Sequence, residues 1–144
     1  NSGEYVATGN EKIDSILNYM ISKAKNSGVD VFWKIQIPEH LGIPIFDVNV
    51  ILSNLFENAL NALADVTEPA FHIMMKYDRG ILCISTQNNC SGKGQTSGAS
   101  KEHGFGLKNI RRIAEKYHGS LTATVQDGDF HANVLLFLED ADTE

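Results

Sequence analysis

The spacing of apolar residues along the chain follows two periods, which predict three helices and five strands. Apolar residues recur every three or four positions over about residues 10–26, 48–66 and 106–117, which indicates amphipathic helices. Five shorter segments are rich in branched and aromatic residues, which is typical of strands. These predicted strands cover about residues 30–37, 70–77, 80–87, 120–126 and 130–138.

The order of these elements predicts the fold class. Two pairs of consecutive strands are joined by hairpin turns at Asp78–Gly80 and Asp127–Asp129. Asn10 and Asp47 stand where the N-caps of the first two helices belong, and Gly119 stands where the third helix should end. We therefore predict an α+β fold, a two-layer α/β sandwich in which three main helices cover one face of a mixed, mostly antiparallel sheet.

The second predicted helix carries a polar stripe on an otherwise apolar surface. Its members recur at helical spacing, so a helix places them on one side: Asn54, Glu57, Asn58, Asn61 and Asp65. Asparagine in a helix costs roughly half a kcal/mol relative to alanine. Three asparagines so close together therefore suggest a surface that faces a ligand. Amide and carboxylate oxygens suit a hard cation such as Mg²⁺, and amide hydrogens suit phosphate.

A polar segment over about residues 88–104 precedes the third predicted helix and ends in glycines, in the run His103–Lys108. Glycine lets the backbone pass close to a ligand. A helix that starts directly afterwards, at about Gly106, offers free N–H groups to an anion. Gly-x-Gly alone is also typical of a helix-initiating loop without a ligand, so the argument depends on its combination with the polar stripe.

Composition narrows the possible functions. The 144 residues suit one domain, and a net charge of −6 argues against general nucleic-acid binding. Between residues 93 and 116, basic residues outnumber acidic ones, so this segment is either a phosphate-binding surface or a solvated basic face. The sequence contains no P-loop motif and no pair of His or Cys at zinc-ligand spacing.

Several segments resemble motifs of a known family. Asn54–Ala62 is similar to the N-box of the Bergerat-fold, or GHKL, ATPases, which comprise gyrase, MutL, the ninety-kilodalton heat-shock chaperones and histidine kinases. His103–Ile110 followed by Lys116–Gly119 resembles the G2 box of the kinases. Thr8–Leu17 and the His-Gly-x-Gly-Leu form resemble, more narrowly, the peptide-pheromone-sensing (quorum-sensing) kinases.

The resemblance implies a site for ATP and Mg²⁺. Asn58 would coordinate the metal ion that bridges the phosphates, and Asn54 would lie beside it. Glu57 would be catalytic, as a general base or as the group that orients the phosphate acceptor. Asn61 stands where many of these kinases have a phosphate-contacting lysine and would take that place at the phosphates. The glycine-rich segment would wrap around the triphosphate and bind it through Gly104, Phe105, Gly106, Leu107 and Lys108.

One motif of the family is altered in this chain. Where these ATPases carry Asp-x-Gly-x-Gly, with the Asp accepting a hydrogen bond from the adenine amino group, the chain has Asn88-Asn-Cys-Ser-Gly92. Asn88 would then be the adenine acceptor. A neutral amide is a weaker acceptor than a carboxylate, so we expect weak nucleotide binding, with a Kd of about 0.1–1 mM.

The resemblance also implies a domain plan and partners. Residues 1–9 would lead in from an upstream dimerisation and acceptor region, residues 10–138 would form the catalytic ATP-binding domain with its lid at 88–104, and residues 139–144 an acidic tail. The parent would be a homodimeric receptor of the bacterial inner membrane, with this domain in the cytoplasm and monomeric by itself. Its partners would be ATP or ADP, its own histidine phosphotransfer domain and a response regulator, and no nucleic acid.

Three functions remain open at this point. The first is the catalytic domain of a two-component sensor histidine kinase, which transfers the γ-phosphate of ATP to a histidine outside this chain. The second is a degenerate GHKL module that regulates partners by docking and binds nucleotide weakly or not at all, which the altered motif favours. The third is a serine kinase of the anti-sigma type, which shares the fold.

Overall fold

The computed structural model describes residues 5–90 and 98–139, with the backbone alone for residues 98–105. The helices of these segments are α1 (Glu11–Asn26), α2 (Ile45–Leu63) and α3 (Gly98–Lys116). The strands are β1 (Asp30–Gln36), β2 (Ala70–Asp78), β3 (Ile81–Asn89), β4 (Ser120–Gln126) and β5 (Asp129–Phe137).

The strands form one mixed sheet in the order β1-β2-β3-β5-β4. β1 and β2 are parallel, because α2 returns the chain to the end of the sheet at which β1 begins, and β2 then runs in the same direction as β1. The other neighbouring pairs are antiparallel, and short turns join two of them as hairpins. The predicted α+β fold with a mixed, mostly antiparallel sheet and three helices is therefore confirmed.

Burial alternates along the strands, which shows that the helices cover one face of the sheet. In β2, Phe71, Ile73 and Met75 are buried, whereas His72 and Lys76 are exposed. The covering helices bring matching apolar stripes, such as Leu17 of α1 and Ile51, Leu52 and Leu55 of α2. None of the helices in the described segments is long and apolar enough to cross a membrane.

The first two helices begin in different ways. The predicted N-cap of α1 is confirmed, because the Asn10 side chain accepts a hydrogen bond from the Ile13 amide at 3.3 Å. The predicted N-cap role of Asp47 is wrong, because α2 starts at Ile45 after Pro44. Pro44 is the N-cap residue and makes no side-chain cap hydrogen bond, and its carbonyl accepts from the amides of Asp47 at 3.0 Å and Val48 at 3.3 Å. The Asp47 carboxylate is bound by α3 instead.

The third helix begins earlier than predicted, at Gly98 and not at Gly106. A glycine within a helix costs only about 1 kcal/mol relative to alanine, so Gly104 and Gly106 do not interrupt α3. β3 extends to Asn89. The predicted lid over residues 88–104 therefore overlaps the end of β3 and the start of α3, and its residues 91–97 lie outside the described part of the chain.

The end of α3 is held by a close approach of two backbones. The Gly119 amide donates to the Ala114 carbonyl at 2.8 Å, as in a glycine-terminated helix. A Cβ atom at Gly119 would lie 1.7 Å from the Leu135 carbonyl oxygen of β5. Only glycine therefore fits where the chain leaves α3 and enters β4.

We expect Gly119→Ala to lower the free energy of unfolding by about 3 kcal/mol, because the clash is with backbone that cannot turn away. Urea denaturation measures this cost. Gly128→Ala is the matched control, since its φ of +82° strains an alanine but no atom lies within 4 Å of the added Cβ. The control should cost about 1 kcal/mol, and equal costs for both variants would contradict the close approach.

Candidate functional site

The two segments singled out by the sequence meet where α3 packs on α2. A Cβ atom at Gly106 would lie 2.9 Å from Asn58 Oδ1 and 3.2 Å from Asn54 Oδ1. These distances are shorter than ordinary contacts of a real Cβ atom, so the absence of a side chain at residue 106 is what allows the approach. The polar stripe of α2 and the glycine segment of α3 therefore form one site.

Asn58 lies at the centre of this contact and is 6% exposed. Its Nδ2 atom has no hydrogen-bond partner among the described residues. The neighbouring Asn54 is half-buried, and its Nδ2 donates to the Val50 carbonyl at 2.7 Å, which leaves Oδ1 toward Gly106. Asn54 and Asn58 are thus one turn apart on α2. The amide nitrogen of Asn54 is hydrogen-bonded within its own helix, whereas that of Asn58 has no partner in the described segments.

Asn88 carries a second buried amide, on strand β3 of the sheet. It is 1% exposed and lies on the buried face of β3. Its Nδ2 donates to the Asn89 carbonyl at 2.9 Å, so that the buried Oδ1 has no partner in the described segments. A carbonyl accepts and never donates, so the atom next to the Asn89 oxygen must be the amide nitrogen. The amide orientation follows from this contact.

The two atoms Asn58 Nδ2 and Asn88 Oδ1 are the buried side-chain polar atoms without a partner among the described residues. Leaving such an atom unsatisfied costs about 1–3 kcal/mol. Native proteins pair most buried polar groups, so an unpaired one indicates a ligand or an ordered water. Here one atom is a donor and the other is an acceptor, and both belong to residues that were predicted to bind ligand, Asn58 as a metal ligand and Asn88 as the adenine acceptor.

Other predicted site residues take more open positions. Glu57 and Asn61 lie on the stripe of α2 and are exposed. Lys108 is exposed on α3, and Leu107 is half-buried. The side chain of Phe105 is outside the described atoms, and Gly104 is placed only as backbone within α3. The stripe therefore offers the Glu57 carboxylate and the asparagine amides as oxygen ligands for a hard cation.

The amides of Gly106 and Leu107, predicted to bind phosphate, lie within α3 in this structure. Because α3 begins at Gly98, these amides lie more than two turns inside the helix. Amides at such positions donate to carbonyls four residues earlier and are not free for an anion. The contribution of Gly106 in this structure is the space that it leaves beside Asn58.

Comparisons with known proteins show the family to which the chain belongs. The sequence matches a family model described as "GHKL domain" over residues 43–137, more than half of the chain. The chain belongs to the GHKL domain family. No curated protein sequence matches it significantly.

Solved structures that share the fold of this GHKL domain include histidine kinase domains. The catalytic domain of histidine kinase ThkA has a TM-score of 0.68 at 14% identity, over 94% of this chain and 97% of that chain. The histidine kinase domain of the blue-light activated kinase EL346 from Erythrobacter litoralis has a TM-score of 0.69 at 13% identity, over 96% and 66%. Histidine kinase AdeS from Acinetobacter baumannii has a TM-score of 0.67 at 11% identity, over 90% and 64%.

A second polar contact between α2 and α3 of the GHKL domain was missed by the sequence analysis. Asp47 is 4% exposed, and its Oδ2 accepts hydrogen bonds from Lys116 Nζ at 3.0 Å and from the Tyr117 hydroxyl. Asp47 precedes Asn54 by seven residues, two turns of α2. This spacing placed Asp47 on the stripe side, but its proximity to the helix start favoured a capping role.

The groups that form this contact differ in how far they are exposed to solvent. Burial alone would raise the pKa of Asp47, but hydrogen bonds from Tyr117 and Lys116 and the Lys116 charge outweigh it and hold the pKa below its usual value. Burial and the contact with Asp47 raise the pKa of Tyr117, so the hydroxyl stays protonated and donates. The Lys116 side chain is 59% exposed, which makes Tyr117 the better shielded partner.

We expect Gly106→Ala to lower the free energy of unfolding by about 1–3 kcal/mol, because the added Cβ displaces Asn58 or Asn54. The direction of the change in unfolding free energy tests the close contact, because a glycine-to-alanine substitution at an open helix position would raise this free energy by about 1 kcal/mol. Urea denaturation gives the measurement. Arg111→Ala, at an exposed position of α3, is the control and should change it by no more than about 0.5 kcal/mol.

We expect the stabilising contribution of Asp47 to disappear in acid. Its pKa is lowered in the folded state, so the stabilisation is complete above the unfolded pKa of about 3.9 and is lost as the pH falls through the folded value. Denaturation of the wild type and of Asp47→Asn between pH 7 and pH 3 measures this. The difference in unfolding free energy should be constant near neutral pH and narrow below about pH 4. A difference that stays constant to pH 3 would contradict the assignment.

Proposed function

We propose that this GHKL domain binds ATP with Mg²⁺ and is the catalytic domain of a sensor histidine kinase. In the reaction, the bond between the γ-phosphorus and the β–γ bridging oxygen breaks, ADP leaves, and a histidine nitrogen outside this chain receives the phosphoryl group. Family membership and the fold of the histidine kinase domains support the proposal. The observation that carries it is the pair of unpaired buried atoms, Asn58 Nδ2 and Asn88 Oδ1, in the predicted site.

Asn88 is the proposed adenine acceptor. Its Oδ1 is available, while its Nδ2 is held by the Asn89 carbonyl, so the site offers an acceptor and no donor at this point. The exocyclic amino group of adenine is a donor and matches it. Guanine and hypoxanthine carry an oxygen at the same ring position, which would place two acceptors together. The held amide thus favours adenine over these bases.

Asn58 is the proposed contact to the phosphates and the metal ion, with Asn54 beside it and Asn61 farther along the stripe. The unused Asn58 Nδ2 suits a phosphate oxygen, and the same amide turned over would present Oδ1 to Mg²⁺. When bound, Mg²⁺ would neutralise charge on the phosphates. Glu57, exposed one position before Asn58, would orient the acceptor histidine or remove its proton.

The segment His103–Lys108 contributes to the proposed site in two ways, through the space that Gly106 leaves beside Asn58 and through the positive charge of Lys108. Lys108 is exposed on the same helix as Gly106 and would attract the phosphates. Within α3, the amides of residues 104–107 are engaged in helix hydrogen bonds, so any contact to phosphate from them requires the first turns of α3 to open.

The proposed partners follow from the family resemblance. They are a histidine phosphotransfer domain of the same parent protein, working as a homodimer, and a response regulator. The resemblance to peptide-pheromone-sensing kinases further suggests a bacterial inner-membrane receptor with this domain on the cytoplasmic side. The Thr8–Leu17 segment supports that narrower resemblance, and its Thr8 and Asp14 side chains are joined by a hydrogen bond of 2.7 Å at the start of α1.

A nucleotide-independent docking module is the second candidate. The neutral Asn88 in place of the family's aspartate favours it, because a carboxylate accepts hydrogen bonds more strongly than an amide. In the kinase domain, Asn58 Nδ2 and Asn88 Oδ1 would form hydrogen bonds to nucleotide, whereas in the docking module they would form hydrogen bonds to water.

Calorimetric titration with Mg-ATP tests the proposal. We expect saturable binding with a Kd of about 0.1–1 mM, weakened at least about tenfold by Asn58→Ala, since a charge-assisted contact to phosphate is lost. Asn49→Ala is the matched control, the same change at an exposed position of α2 off the stripe, and should leave the Kd unchanged. Mg-ITP should bind more weakly than Mg-ATP. No saturation by several mM Mg-ATP would favour the docking module.

A further inference from the structure

The contact between α2 and α3 is polar at both ends and apolar between them. At one end Gly106 lies against Asn54 and Asn58. At the other end Asp47 accepts hydrogen bonds from Lys116 and Tyr117, a group that we call the Asp47 clamp. The side chains of Ile51, Ile110 and Ala114 are fully buried on these helices between the two ends.

The two ends are separated by equal lengths of helix. Asp47 and Asn58 are eleven residues apart on α2, and Gly106 and Tyr117 are eleven residues apart in α3 and its continuation. The Tyr117 amide still donates to the Ile113 carbonyl, so the helical path extends to this residue. Eleven residues are about three turns and 16 Å, so both pairs return to the same side of their helices. The helices therefore run antiparallel with matched contacts.

The apolar middle of this contact constrains the axial position of α3 less sharply than directional hydrogen bonds do. Apolar packing is non-directional, and a small residue such as Ala114 forms few interlocking contacts. Hydrogen bonds to a buried carboxylate, in contrast, hold only over a narrow range of distance and angle. A buried charged group is also often replaceable by apolar residues without loss of stability. The Asp47 clamp is therefore better explained by the position that it defines than by stability alone.

We propose that Asp47 and Tyr117 are positioning residues of the nucleotide site, which set the axial position of α3 so that Gly106 lies against Asn54 and Asn58. A slip of one residue corresponds to about 1.5 Å and 100° of rotation. It would bring a side chain to the place where even a Cβ atom lies 2.9 Å from Asn58 Oδ1. The consequence for nucleotide binding rests on the function proposed above, whereas the consequence for Gly106 does not.

Tyr117→Phe tests the proposal, because it removes the hydroxyl and keeps the ring. We expect the Kd for Mg-ATP to weaken about five- to tenfold by calorimetry at a temperature where the variant is fully folded. Asp47→Ala should have the same effect, and the double variant should be no weaker than either single variant, as expected for two residues that act through one contact. Asp47→Asn keeps an acceptor for Tyr117 and should retain most of the affinity.

Val31→Ala controls for a general loss of stability. Val31 is buried on β1, which lies at the opposite edge of the sheet from β4, the strand that follows α3. Truncation of its side chain should lower the thermal midpoint, but the Kd should change less than twofold. If Val31→Ala weakens nucleotide binding as much as Tyr117→Phe does, the positioning role is wrong.

A measurement without nucleotide separates this proposal from the proposed function. In ¹H–¹⁵N spectra of the free protein, Tyr117→Phe should shift the Gly106 backbone amide and the Asn58 side-chain amide, and Val31→Ala should not. Shifts without any nucleotide binding by the wild type would leave the positioning role intact and refute the proposed function. Unshifted signals of Gly106 and Asn58 in Tyr117→Phe would overturn the positioning role, whatever the Kd.

Discussion

The close packing of α3 on α2 at Gly106 is the constraint on which the rest of the site depends. A Cβ atom at this position would lie 2.9 Å from Asn58 Oδ1 and 3.2 Å from Asn54 Oδ1, so the helices approach closely enough that an added methyl group would displace these amides. This approach keeps Asn58 almost entirely out of solvent while leaving its Nδ2 unpaired. A wider spacing would admit water to the amide and remove the feature that makes it a candidate ligand contact.

The site is organised at the expense of local stability. Two buried side-chain atoms lack partners among the described residues, three asparagines occupy a helix that would be more stable with alanine, and Gly106 weakens α3. Conflicts of this kind concentrate at functional positions, because a binding surface needs groups that the fold itself does not satisfy. The large apolar core around Phe71, Leu52 and Leu17 offsets these local costs.

The parts of the site that the sequence predicted are those controlled by local spacing. Asn54, Asn58 and Asn61 repeat with the period of a helix, so a shared side followed as soon as α2 was recognised. Gly106 was assigned to a helix start, but α3 runs through it, because the small local penalty of glycine is outweighed by packing along the whole helix. Asp47 was assigned to a cap, because its partners Lys116 and Tyr117 are about seventy residues away in sequence and nothing local points to them.

The sequence by itself determined the elements, the α+β class and the polar stripe, since these depend on periodicity and on residue types within short windows. Tertiary structure alone decided which atoms are left unpaired and how the two helices are held relative to each other. Burial of Asn88 Oδ1 depends on every element packed around β3, and its orientation depends on the carbonyl of the next residue. Contacts between Asp47 and α3 exist only after the chain has brought distant segments together, and no local pattern encodes that distance.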